Sequence, residues 1–279
     1  MHELGLPVRQ TEEIVSSVTN GDAMVHFFGR VGCWRHLTDR PIRSREMIIS
    51  HEHKFIFIKT AKTAGTSIEI FLSQQCGPQD IVTPIAPPVE GHEPRNHEEL
   101  VNPISELFRQ PEGLLAALRN VFKRRKKFYN HMPAWLIQQR VPAHIWNGYF
   151  KFCVERNPWD KVLSHYHMAA SRAGGSLSFE EYLSKGRFPI NYFRYTDRSG
   201  ARVIVDRVLR YENLMKDLAE VFSYVNVPFE GGLGIRAKSE YRTNHTPYQS
   251  VFNDEQRRIV EHAFAREIEL HGYRFESNT

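Results

Sequence analysis

Hydrophobic residues gather in this chain as short runs rather than long stretches. "MIIS" at 47–50 and "KFIFIK" at 54–59 are rich in β-branched and aromatic residues and read as strands. The second is apolar enough to be buried on both faces, as in a parallel sheet. The pattern then turns amphipathic. Ile68, Phe71 and Leu72 share one face of a helix predicted over 66–75, which Gly77 and Pro78 end. The order strand, loop, helix recurs. "YFKFCVE" at 149–155 runs into "RNPWDKVLSHYHMAASR", a helix with Pro158 in its first turn. "VIVDRVLRYENL" at 203–214 reads as a strand entering a helix over about 212–225. Further helices are predicted at 112–127 and 133–140, and Ser178 with Glu181 gives a capping-box pattern over 178–184. A last helix is predicted over 254–271, with Asn253 as N-cap, Gln256 three residues on, and Gly272 past its end. Residues 78–111, rich in Pro, Gly, His and acids, read as one long excursion. Strands alternating with helices predict an α/β fold, a parallel β-sheet flanked by helices. One domain is expected over 46–279. It follows an extension, 1–45, with no clear period beyond a short helix around 11–18 and no role legible in it.

Composition narrows the class without choosing a function. At 279 residues, 41% hydrophobic and 25% charged, the chain has material for one α/β core. A net charge of +5 suits an anionic ligand, though solubility alone would tolerate it. Cys33, Cys76 and Cys153 have no CxxC spacing and cannot all pair, which argues for a reducing compartment. No apolar run approaches a membrane span, and no basic-then-apolar leader opens the chain, so a cytoplasmic location is expected. Without a leader, Asn244-His245-Thr246 reads as a chance match to a glycosylation site. "KRRKK" at 123–127 suits an acidic acceptor or a solvated helix end. Without aromatic interleaving it does not argue for nucleic acid. His51, His53, His92 and His97 lack the cysteine or carboxylate spacing of a zinc site, so no metal is expected.

The chemistry concentrates where the first strong strand ends. "KTAGTS" at 62–67 lies between a buried strand and a helix start, where backbone N–H groups converge and the helix dipole favours negative charge. Gly65 lets the backbone approach an oxyanion. Thr63, Thr66 and Ser67 carry hydroxyl donors, and Lys62 a positive point charge. The lysine precedes the glycine, so the loop is not the GxxxxGK[ST] of an ordinary ATPase.

"IFIKTAKTAGTSIE" resembles the 5′-phosphosulfate loop of sulfotransferases, in the carbohydrate branch that includes the heparan sulfate 2-O enzymes, where the loop usually reads PKTAGTS. Here Ala61 stands in place of the proline, a change expected to cost rigidity more than chemistry. "FCVERNPWDKVLSHY" resembles the family's second motif, a strand, an arginine, and a helix carrying a serine two turns later. The resemblance covers about residues 47–275. It implies the nucleotide-kinase-like sulfotransferase fold with PAPS (3′-phosphoadenosine 5′-phosphosulfate) as donor and PAP as product. Lys62, Thr63, Ala64, Gly65, Thr66 and Ser67 would hold the 5′-phosphosulfate, and Arg156 and Ser164 the 3′-phosphate. Arg242, with Lys238 nearby, would reach the same phosphate from a covering loop. Alternatively, Arg156 pairs with a neighbour such as Asp160.

Histidine suits proton abstraction near neutral pH. His131 resembles the family's base, although Asn130 precedes it where a glycine is usual. His97, His92, Glu98 and Glu69 remain alternatives, with Lys62 stabilising the leaving group. Trp159 is expected in the core. The acceptor class implied is a hydroxyl on a carbohydrate. Two rival readings stay open: an ATP-dependent phosphotransferase with a divergent loop, for which Asp206 and Glu212 are the strand-end acids, and a non-catalytic PAP-binding module.

Overall fold

The computed structural model describes residues 47–85, 88–98, 128, 131–234 and 246–275. The extension 1–45, the helix expected over 112–127, the basic run 123–127, Cys33, Asn130, Lys238, Arg242 and Asn244 lie outside the described residues.

The fold is mixed α/β. A five-stranded sheet has the order β3-β1-β2-β4-β5, with β1 at Ile48–Ser50, β2 at Phe55–Phe57, β3 at Ile81–Val82, β4 at Phe150–Glu155 and β5 at Arg207–Arg210. Only β2, β4 and β5 are parallel. β1 pairs antiparallel with β2, Ile49 opposite Ile56, and β3 pairs antiparallel with β1. The fully parallel sheet expected from the sequence is therefore corrected. The reason is chain length: residues 51–54 can close a hairpin, whereas a parallel connection needs a dozen residues or more. The excursion 78–111 is also not featureless, since it contributes β3 and the bridge from Val82 to Arg95.

Period-two alternation explains why β2 reads as a continuous apolar run. Phe55 and Phe57 join Ile48, Phe152, Val154 and Leu209 in one core layer, while Ile56 and Ile58 join Met47, Ile49 and Cys153 in the other. Helices cover both faces. On the first lie α1, Gly65–Gln74, through Ile68 and Leu72, and further along the chain Leu214–Tyr224, through Leu218, Val221 and Phe222. On the second lie α2, Ala134–Arg140, and α3, Ala143–Gly148, the latter not foreseen from the sequence. A third cluster joins α4, Pro158–Arg172, to α5, Phe179–Ser184, and to the C-terminal helices. Trp159 lies in this cluster, 1% exposed, as expected of a core residue. The short α6, Tyr192–Tyr195, precedes β5, and the helix over Leu214–Tyr224 is α7.

The helix expected over 254–271 is two helices, α8 at Asp254–Ala263 and α9 at Ala265–His271. The chain turns at Phe264, which is fully buried, so packing rather than a local breaker divides them.

Candidate functional site

Because β2 and β4 are parallel neighbours, their carboxyl ends open at the same edge of the sheet. The two motifs follow those ends and meet: the Arg156 Nη1 donates to the Lys62 carbonyl at 3.1 Å. Beyond the carboxyl ends of strands is where open α/β sheets bind ligands.

The loop 60–66 is shaped from inside. The Thr60 hydroxyl donates to the Val154 carbonyl, which leaves Thr60 Oγ1 to accept from the buried Thr63 hydroxyl, 2.7 Å away. The Thr63 side chain, expected to face a ligand, therefore braces the loop instead. Lys62 and Ala64 both adopt left-handed backbone, φ 64° and 58°. Such alternation turns successive N–H groups toward one concavity suited to an anion. Ala64 caps α1 without a side-chain bond, and no acidic residue occupies the first turn, so the dipole at the helix start is not neutralised there.

Lys59 explains the glycine. Its side chain passes under the loop, and Nζ donates to Thr66 Oγ1 at 3.0 Å and to Glu69 Oε2 at 3.0 Å. A Cβ on Gly65 would stand 2.8 Å from Lys59 Cγ. Since an ammonium only donates, Thr66 accepts from Lys59 and its own proton is directed elsewhere. Glu69, one of the alternative bases, is fully buried in this pair.

Arg156 is 7% exposed. Its Nε and Nη2 both reach Asp160 Oδ2, at 2.8 and 2.6 Å, and the guanidinium lies 4.1 Å from the centre of the Tyr211 ring. The pairing weighed from the sequence is present, and with the Lys62 carbonyl it engages three of the five N–H groups. Asn157 caps α4, accepting from Trp159 and Asp160 N–H. Ser164 is half-buried on α4, and its hydroxyl makes no hydrogen bond among the described residues. Lys62 Nζ reaches Met168 Sδ at 3.8 Å. Met168 is one turn beyond Ser164 on the same helix face, so Lys62 and Ser164 share that face. His165, which no sequence signal singled out, is pushed down to about 4, by burial first and then by the charges of Lys62 and Arg172.

His131 comes to the base of the loop. Its Nδ1 lies 3.0 Å from the Lys59 carbonyl. A carbonyl only accepts, so Nδ1 carries the proton and Nε2 holds the lone pair of the neutral ring. Its backbone is left-handed, φ 52°, and its own carbonyl accepts from Arg194 Nη1 at 2.7 Å. Among the described residues, six non-glycines have positive φ, and Lys62, Ala64 and His131 are three of them. Strained backbone of this kind concentrates at functional sites.

The other histidines are elsewhere. His92 donates through Nε2 to the Thr83 carbonyl at 2.9 Å, and Gly91 packs against Gln74 at the far end of α1. His97 is 3.6 Å from Glu98, next to Asn96, which bonds the Pro78 and Asp80 carbonyls just past that helix. A ten-residue helix, about 15 Å long, separates these groups from the loop. An open cavity of about 620 Å³, lined by His51, Ile81, Arg95 and His97 among others, also lies on this β3 side. Its size does not outweigh the convergence of charge and backbone donors at the loop. Asp206 is occupied by Lys151, and sits at the amino end of β5, away from the loop edge. Glu212 accepts from Asn157 N–H at 2.7 Å. Among the described residues no group of His, Cys, Asp or Glu could hold a metal.

Beneath the loop lies a buried polar network. The Glu155 Oε1 accepts from Arg156 N–H at 2.9 Å, Lys161 Nζ at 2.6 Å and Asn191 Nδ2 at 3.3 Å. Glu155 and Lys161 are both fully buried. Glu267 accepts from the backbone N–H groups of Asn191 and Tyr192. Burial raises its carboxyl to about 7, against the opposing pull of Lys161. None of these residues carries a local sequence signal: Asn191 meets Glu155 and Glu267 across 36 and 76 positions, and Lys161 reaches back six positions to the end of β4.

A protein described as uncharacterized, from Archaeoglobus fulgidus, is 40% identical to this chain over 103 residues, which are 36% of this chain and 86% of that protein. No family model matches the chain, and no solved structure matches it.

Proposed function

We propose that this chain, which belongs to the same family as the Archaeoglobus fulgidus protein, is a PAPS-dependent sulfotransferase acting on a carbohydrate hydroxyl. The observation that carries the reading is the meeting of the two strand-end motifs at one sheet edge, with Arg156 donating to the carbonyl of Lys62. A nucleotide with charge at both ends needs two such places a fixed distance apart. A nucleotide-kinase-like sulfotransferase fold and a cytoplasmic location belong to the same reading.

The residues suit the nucleotide. Two left-handed residues and an uncapped helix start offer backbone donors, and Gly65 keeps the approach open. PAPS, when bound, supplies the sulfuryl group and departs as PAP. Lys62 and the amides of Thr63 to Ser67 offset the charge that gathers on the leaving 5′-phosphate. Arg156 and Ser164 hold the 3′-phosphate, drawing on the N–H groups that Asp160 leaves to the arginine and on a hydroxyl with no bond among the described residues. His131 takes the acceptor's hydroxyl proton on Nε2. The Lys59 carbonyl fixes the tautomer and, as acceptor of the Nδ1 proton, stabilises the positive charge that the ring gains. The half-buried α4 face under Lys62 and Ser164 gives the donor a protein-lined floor.

Thermal unfolding with PAP, ADP and ATP–Mg²⁺ tests the reading. At a hundred times its dissociation constant, a ligand of the folded state adds about 2.7 kcal/mol. PAP is expected to raise the unfolding temperature of the wild type and not of Arg156→Ala. A rise with ATP–Mg²⁺ and none with PAP would sink the sulfotransferase reading.

A further inference from the structure

Asn191 grips the backbone of the loop at both of its polar groups. The Ala61 N–H donates to Asn191 Oδ1 at 2.8 Å, and Asn191 Nδ2 donates back to the Ala61 carbonyl at 3.1 Å. The pair of bonds imitates a rung of β-ladder, made by a side chain 130 positions along the chain. Asn191 itself is fully buried and held in turn. Its N–H donates to Glu267 Oε1 at 3.1 Å, and its Nδ2 reaches Glu155 Oε1 at 3.3 Å. The same Glu155 oxygen accepts from the Arg156 N–H and from Lys161. One buried carboxylate thus links the arginine that follows β4 to the amide that clasps the loop following β2.

We propose that Asn191 is a positioning residue: it holds the anion loop at Ala61 and, through Glu155, keeps that loop in register with Arg156. The inference rests on the reading of the loop as the nucleotide's 5′ site. Its physical content is preorganisation. Lys62 and Ala64 hold unfavourable left-handed backbone just beyond the clasp, and such conformations persist only where the surroundings over-determine them. With Ala61 fixed, the cost of holding that shape is met in the folded protein before a ligand arrives, and the ligand does not bear it. The loop therefore uses an amide clasp where a proline would have supplied stiffness by its ring. The two devices exclude each other: proline has no N–H to give Asn191 Oδ1, and its ring carbon would crowd that oxygen.

That exclusion supplies the test. PAP affinity is measured by calorimetry for the wild type, Asn191→Ala, Ala61→Pro and the double variant, with melting temperature recorded for each. Asn191→Ala is expected to bind PAP about tenfold or more weakly, the loss of two hydrogen bonds at the loop. Ala61→Pro alone is expected to weaken binding as well. In the double variant the proline is expected to regain most of the affinity lost by Asn191→Ala while the melting temperature stays low. A purely structural Asn191 would not give that split. Equal PAP affinity in wild type and Asn191→Ala overturns the inference and leaves the sulfotransferase reading standing. No PAP binding by the wild type overturns that reading instead. The clasp is then judged by amide hydrogen exchange over residues 61–67, which Asn191→Ala is expected to accelerate; unchanged exchange overturns it.

Discussion

Gly65 and His131 show how much single side chains decide here. Lys59 is 4% exposed and anchored at its tip by Thr66 and Glu69, so it has little room to yield to a new Cβ. Gly65→Ala is expected to cost about 1–3 kcal/mol, the usual toll of overpacking, read as a lower denaturant midpoint at unchanged slope. A smaller residue than lysine at 59 should relieve it. For His131, the telling replacement is asparagine. Its amide nitrogen can keep the donation to the Lys59 carbonyl while removing the basic lone pair. His131→Asn is expected to lose about 10²–10⁴ in turnover and to keep its PAP affinity. Loss of both together would assign His131 to the architecture of the loop. His131 was legible from its place between the two motifs. Lys59 was not, because its meaning comes from the atoms of α1 that fold back over it.

At the scale of elements, local signals did their work wherever the bonds they predict are local. Ser178 accepts from Glu181 N–H at 3.1 Å, and Asn253 and Gln256 complete a capping box at α8. Asn253→Ala is expected to cost about 1 kcal/mol in denaturant unfolding, with little change in PAP binding, since α8 packs on α4 through Val260 in the third cluster. Apolar periodicity likewise located β2, β4, α1 and α4 to within a residue or two of their ends. It failed at 254–271, where an uninterrupted pattern conceals a turn. That turn buries Phe264 and brings Glu267 under Asn191, so the element boundary is set by what the chain packs against.

At the scale of the whole molecule, the charge network under the sheet edge makes stability depend on pH. The Glu267 carboxyl is raised from its ordinary 4.5 to about 7, chiefly by burial. The folded state then holds a proton that the unfolded chain releases near 4.5. The resulting contribution to stability is complete below about 4.5 and is lost as pH rises through about 7. Glu267→Gln keeps an acceptor for the Asn191 and Tyr192 N–H groups and removes the titration. Relative to it, the wild type is expected to lose stability between those two pH values, measured by denaturant midpoints across the range. Parallel pH profiles for the two proteins would show that Glu267 stays ionised beside Lys161.

The sequence by itself determined the elements with a strong period, the α/β class, and the two strand–loop–helix motifs with the order in which they occur. Those features rest on interactions within a few residues, or on apolar patterns any buried strand must show. The tertiary structure alone decided the rest. It made the sheet mixed, because a four-residue link closes β1 and β2 into a hairpin. It set His131 at the loop and His92 and His97 at the other end of α1, a distinction that residue type cannot carry. It also assembled Glu155 and Lys161, Asn191, and Glu267 from three separate stretches of the chain. Each is an ordinary polar residue in its own neighbourhood. Their roles exist only because burial leaves every polar group to find its partner across the fold.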